Sequence, residues 1–148
     1  MSTKTLTVTV HRVDGLPHSV ELNTTDPYVD ITYGGSMKRS KTLKDAGSCG
    51  NFEESFTWCY DTSKDDIELL VKTNRKMASD KTLAHNVFRI PRNTGPHVGC
   101  QIEKEIYQGP AYKDEGTGYH YHYSGQVALI SDTDKCNNPV LNITVRIQ

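Results

Sequence analysis

Two histidines, His120 and His122, stand in the pentapeptide Tyr119-His120-Tyr121-His122-Tyr123. In an extended chain residues i and i+2 share a face, so the two imidazoles could chelate zinc or copper. A third ligand would have to come from His97, Cys100 or His85. The three tyrosines then share the opposite face. They could pack over the body of the protein as an aromatic edge hairpin, since each ring adds apolar area with a polar tip. They could equally form a partner-binding surface, because Tyr is enriched at interface hot spots.

A second kind of chemistry is cationic. The stretch from Ser36 to Lys44 carries Lys38, Arg39, Lys41 and Lys44 and no acid. If it is a strand over 38–43, Arg39 and Lys41 share a face. Lys72, Arg75, Lys76 and Lys81 form a second group around one loop, together with Met77. Each Lys or Arg held near an anionic leaflet is worth about 1 kcal/mol, so four to six of them would support weak, salt-sensitive docking. The plainer reading is a solvated edge whose lysines oppose sheet-to-sheet aggregation.

Catalytic signatures are missing. The chain has no G-x-S-x-G, no Gly-rich phosphate loop and no H-E-x-x-H. The acidic pairs Asp65-Asp66 and Asp114-Glu115 fall in turn-like stretches. Cys49, Cys59, Cys100 and Cys136 form no C-x-x-C pair of the kind zinc sites use, and read as free thiols in a reducing compartment. With 17 basic and 18 acidic residues the net charge is −1, which excludes a broadly basic nucleic-acid binder. The segment from Met1 to Val8 lacks the apolar run of a signal peptide, and no stretch approaches a membrane span. The expected setting is the cytoplasm, with peripheral membrane contact.

These residues must be positioned by strands. Leu6, Val8 and Val10 alternate with Thr5, Thr7 and Thr9, the period of a half-buried strand. Further alternating runs are expected at 28–33, 38–43, 54–60, 67–73, 83–90, 126–130 and 140–147, punctuated by Gly and Pro. That makes eight strands and no sustained helical period. The pattern predicts an all-β fold, an eight-stranded antiparallel β-sandwich, in one domain of 148 residues. Residues 92–124 then form a long insertion before the last two strands, with a short helix expected from Ile102 to Tyr107. The mean hydropathy of −0.60 suits strands that bury one residue in two.

Several motifs occur in a familiar order: Leu6 to Pro17 ending in Gly15-Leu16-Pro17, then Thr25-Asp26-Pro27-Tyr28-Val29, Lys41-Thr42, Asn51 to Trp58, and Asp80-Lys81-Thr82-Leu83. Over residues 5–91 the chain resembles a C2 domain. Because the Gly-Leu strand comes first and 140–147 comes last, the resemblance favours the circularly permuted, type II arrangement. In C2 domains that work without calcium or bind phosphoinositides, a lysine-rich cluster lies on the concave face. Tyr28, Arg39 and Lys41 match that cluster, whereas Asp30 stands where such relatives often have lysine.

The resemblance also locates calcium-type positions. Asp26 is retained, but the other positions fall on Val20, Thr73, Arg75 and Lys81, with Glu21 and Asp80 adjacent to two of them. Calcium takes six to eight oxygens, and a cation at a ligand position repels it. Asp26 and Asp80 are therefore residual metal positions, and Arg75 or Lys76 could pair with Asp26 directly; otherwise Asp26 caps a turn. The expectation is a non-catalytic C2-like module with no cofactor and no favoured calcium site. It would dock on anionic phospholipid or phosphoinositide membranes through Tyr28, Lys38, Arg39, Lys41, Lys72, Arg75, Lys76 and Lys81. The alternative is a protein-interaction, adaptor or self-assembling scaffold module using Tyr119 to Tyr123.

Overall fold

The computed structural model describes residues 4–21, 23–75, 78–91 and 121–148 in full, and between 100 and 120 the backbone of 100–101, 106–107, 111–114 and 118–120. In chain order the strands are β1 (Thr5–Asp14), β2 (Ser19–Val20), β3 (Asn23–Thr24), β4 (Pro27–Tyr33), β5 (Ser36–Arg39), β6 (Gly50–Cys59) and β7 (Asp66–Thr73). They continue with β8 (Lys81–Arg89), β9 (Cys100–Gln101), β10 (Ile106–Tyr107), β11 (Ala111–Asp114), β12 (Gly118–Ala128), β13 (Ile130–Ser131) and β14 (Val140–Ile147). All pairings are antiparallel.

Two five-stranded sheets carry the fold, in the orders β11-β12-β14-β1-β6 and β13-β8-β7-β4-β5. The eight strands expected from alternation are all present, and β11 and β13 widen each sheet by one. Alternation builds the core between the sheets. Leu6, Val8, Val10, Leu141, Ile143, Val145 and Ile147 from one sheet meet Val29, Ile31, Ile67, Leu69, Val71 and Leu83 from the other, all fully buried. Their β-branched and aliphatic side chains suit a pleated, one-sided surface.

Four expectations need correction. The strand expected over 38–43 is β5, Ser36–Arg39. It ends there because Ser40 is turned inward, its Oγ accepting from Val29 N–H and donating to Lys41 C=O. The strand expected at 126–130 begins at Gly118, so Tyr119 to Ser124 belong to core strand β12 rather than to an insertion. Within the supposed insertion, Ala111–Asp114 pairs with that strand as an edge. Ile106–Tyr107, the end of the short helix expected over 102–107, instead forms a two-residue ribbon with Cys100–Gln101, and 102–105 lie outside the described residues.

The hairpin between β4 and β5 sets much of the site. Gly34 and Gly35 both have positive φ, 59° and 81°, the two-residue turn whose twist matches the strands it joins. That turn fixes Tyr33 opposite Ser36 and, counting back, Asp30 opposite Arg39.

Candidate functional site

The outer face of the β13-β8-β7-β4-β5 sheet carries two of the predicted cations, Arg39 and Lys72, and both are paired. Asp30 on β4 is 4% exposed. It accepts two hydrogen bonds from Arg39, from Nε at 2.6 Å and Nη2 at 3.0 Å, and Lys72 Nζ lies 3.5 Å away. Register explains the meeting: Arg39 is opposite Asp30 across the β4–β5 hairpin, and Lys72 is opposite Tyr28 across β4–β7. A carboxylate this dry requires paired, hydrogen-bonded cations. Arg39 and Lys72 are thus held by Asp30 rather than presented freely to a headgroup.

Tyr28 extends the cluster. Its ring lies 4.6 Å beneath the Arg39 guanidinium, and its hydroxyl donates to Asp80 at 2.5 Å. Burial and that hydrogen bond hold the phenol neutral well above its usual range. The same hydrogen bond keeps the Asp80 carboxyl below the ordinary carboxylate range, helped by the Arg75 N–H and the Arg39 and Lys72 charges. Lys38, one residue from Arg39 and on the other side of β5, stacks 5.4 Å over Trp58. Trp58 in turn donates its indole N–H to Ser36 C=O at 3.2 Å.

The connections that follow β1, β5 and β7 lie at one end of the sandwich and are tied together by backbone polar groups. Asp26 is the central tie. Its N–H donates to Thr73 Oγ1 at 3.0 Å, its carbonyl accepts from Asn74 at 3.0 Å, and its Oδ1 accepts the Asp45 N–H at 2.7 Å. Gly47 N–H reaches Thr25 C=O, and Leu43 N–H reaches Pro27 C=O. Arg75 bridges the loops differently from the expected pairing with Asp26: Nη1 donates to Glu21 at 2.7 Å and Nε to Ser79 C=O at 2.6 Å. Lys76 lies outside the described residues, whereas Lys41, Lys44 and Lys81 make no ion pair among them.

The oxygen donors at this end are engaged with protein groups. Thr73 Oγ1 is engaged by the Asp26 N–H, and Asp80 lies between the Tyr28 hydroxyl and the Arg75 N–H. Among the described residues no three His, Cys, Asp or Glu side chains are grouped to hold a metal. Across the same end, the Arg75 guanidinium and the Glu21 carboxylate form a salt bridge between two of the loops.

The tyrosine and histidine run is resolved by β12. Tyr121 and Tyr123 are each 1% exposed and pack on Phe88, with ring centroids 6.4 and 5.2 Å away. Buried rings offer no surface to a partner, so these two residues are core. His122 faces the opposite way, across from Arg146 on β14. The side chains of Tyr119 and His120, and of His97 and Cys100, lie outside the described residues. His85 is on the outer face of the other sheet, 2.8 Å from Asp132, and cannot serve as a third ligand beside His122.

Three partners were missed by sequence reasoning: Glu21 for Arg75, Trp58 for Lys38, and Asp80 for Tyr28. The Asp30–Arg39 pair was available from the Gly34-Gly35 turn, because hairpin register follows directly from turn length.

Likeness to known proteins is consistent with this geometry. The C2 domain family model matches residues 4–104. No curated protein sequence matches. Among solved structures, the first C2 domain (domain A) of plant Extended Synaptotagmin 1 superposes with TM-score 0.64 at 16% identity, covering 95% of this chain and 91% of that one. Human GIVD cytosolic phospholipase A2 gives TM-score 0.64 at 17% identity, covering 99% of this chain, which spans 16% of the phospholipase chain. A structure of the SMP domain and the two C2 domains, A and B, of Extended-Synaptotagmin 2 gives TM-score 0.58 at 15% identity, covering 99% of this chain and 28% of that one. At these identities the structural likeness concerns the fold.

Proposed function

Since the chain belongs to the C2 domain family, a family of membrane- and lipid-binding modules, we propose that it is a non-catalytic module that docks on anionic phospholipid membranes without calcium. The observation that carries this reading is the loop end itself. Asp26, Thr73, Asn74 and Asp45 are hydrogen-bonded to one another, and Arg75 is paired with Glu21, so protein groups tie these loops together. A surface ordered before contact loses less entropy on binding.

The cations assigned to the membrane are Lys41, Lys44 and Lys81. Lys41 and Lys44 are exposed and Lys81 is half-buried. Three such charges contribute about 3 kcal/mol near an anionic leaflet, roughly a 100-fold bias that salt erodes. Arg39, Lys72 and Arg75 are given a structural role, because Asp30 and Glu21 hold them. This lowers the weight of a dedicated phosphoinositide pocket at Tyr28 and Arg39, in keeping with Asp30 standing where such relatives carry lysine. The arrangement of β1 between β14 and β6 supports the permuted topology.

Among the described residues no helix is long and apolar enough to cross a membrane. The second reading, a partner surface made of the tyrosine run, loses support because Tyr121 and Tyr123 are core. Co-sedimentation with phosphatidylserine vesicles at low and high salt tests the assignment. Lys41→Glu, Lys44→Glu, Lys81→Glu should abolish low-salt binding while leaving the fold intact. Unchanged binding in that triple variant would contradict the proposal.

A further inference from the structure

The outer strand β6 is a sheet edge of unusual length for this molecule. Its ten residues pair with β1 on one side only, whereas the other edges of the two large sheets are β5 and β11, of four residues each, and β13, of two. Proteins normally shorten, charge or cover such an edge, because its free N–H and C=O groups accept another strand. The first half of β6 is treated that way. Glu53 sits at a bulge with φ 51°, and Lys41 N–H bonds Glu54. The second half, Ser55 to Cys59, carries no Lys, Pro or bulge.

The ladder shows which groups are free. Tyr60 N–H donates to Lys4 C=O, and Trp58, Phe56 and Glu54 stand opposite Leu6, Val8 and Val10. Backbone groups alternate in direction along an antiparallel strand, so Trp58, Phe56 and Glu54 bond β1. Ser55, Thr57 and Cys59 therefore point N–H and C=O away from it. All three residues are exposed, and none has another backbone partner among the described residues.

We propose that this edge pairs with the same edge of a second copy of the chain, antiparallel about a two-fold axis at Thr57. The free set is symmetric about that residue: Thr57 meets Thr57, and Ser55 meets Cys59 twice, closing on the order of six hydrogen bonds. Charge favours this occupant. Pairing in this register sets Glu54 of each copy opposite Tyr60 of the other, diagonal to Trp58, over which Lys38 is stacked. Each copy thus brings an acid to the other's lysine, and no like charges face each other among the paired residues 55, 57 and 59. The two β11-β12-β14-β1-β6 sheets become one continuous sheet, with the Thr9–Ser55 hydroxyl bond at 2.8 Å flanking the junction in both copies.

The geometry specifies a cross-linking experiment. Hydrogen-bonded antiparallel pairs place Cα atoms ~5.5 Å apart, within disulfide reach. Under mild oxidation Ser55→Cys should form two disulfides to Cys59 of the other copy, and Thr57→Cys a single symmetric one. Sedimentation at about 100 µM should give twice the monomer mass of 16.6 kDa, with Thr57→Pro weakening association at least ~10-fold by removing an edge donor. Lys38→Glu and Glu54→Lys should each weaken it and the double exchange restore it, which guards against a proline variant that merely misfolds. A monomer at that concentration with uncross-linked Ser55→Cys overturns the proposal. So does a dimer that forms without these cross-links, and so does a monomer whose 55, 57 and 59 amide signals move only on adding an extended acidic peptide, which would assign the edge to a foreign strand.

Discussion

Asp30 and Arg39 face each other across the β4–β5 hairpin with two hydrogen bonds, at 2.6 and 3.0 Å, and Lys72 closes on the same carboxylate at 3.5 Å. Two of the cations read from the sequence are thereby tied to one buried carboxylate. Asp30→Ala should cost about 1–3 kcal/mol of stability: breaking a buried pair costs more, but the Arg39 side chain is 48% exposed and solvent recovers part of the loss. The same variant should bind anionic vesicles several-fold more tightly, since it releases two cations. Denaturant midpoints and vesicle co-sedimentation check both halves; a stable variant with unchanged binding contradicts the pairing.

The Arg75–Glu21 bridge makes a different prediction. Arg75 is 22% and Glu21 63% exposed at the side chain, so a double-mutant cycle of Arg75→Ala and Glu21→Ala should give coupling of only about 0.5–1 kcal/mol at low salt. It should fade as salt rises. Loop amides at 19–24 and 74–80 should exchange faster in either single variant, and exchange identical to the parent chain would show that the bridge does not organise these loops.

Tyr28 and Asp80 couple stability to acid. Asp80 titrates below its ordinary value of 3.8 because it accepts the Tyr28 hydroxyl. A carboxyl depressed in the folded state contributes stability that is complete above its unfolded value and is lost as pH falls through its folded one. Tyr28→Phe should therefore be less stable than the parent at neutral pH, and that gap should narrow below about pH 4. Urea unfolding at a series of pH values measures it, and a gap constant down to pH 2 rules out the coupling.

Tyr121 and Tyr123 fill the core against Phe88. Replacing either with Ala should cost about 3–5 kcal/mol, as large aromatic truncations do. Thermal unfolding reads this directly. A loss below ~1 kcal/mol would mean that the rings are not core.

Much of the fold was legible because alternation is a direct consequence of one-sided burial. Leu6-Val8-Val10 and Ile67-Leu69-Val71 point inward as their spacing requires. Strand β12 was read short because Gly125 looks like a breaker. In the sheet it simply pairs with Ile143, and the tyrosines before it supply the apolar half of the alternation. Strand β5 was read long because nothing local announces that Ser40 will turn its hydroxyl to Val29 N–H. The site was harder for a related reason. Its partners lie 9 residues apart for Arg39–Asp30, 52 for Tyr28–Asp80 and 54 for Arg75–Glu21. Of these only the first is set by a turn; the others depend on how loops from different hairpins meet.

The central claim is docking that needs no calcium, and co-sedimentation with phosphatidylserine vesicles at low salt, run in parallel with calcium and with chelator, tests it most directly. Equal binding in the two conditions, lost at high salt, is the predicted result. Binding that appears only with calcium, or no binding in either condition, would contradict it.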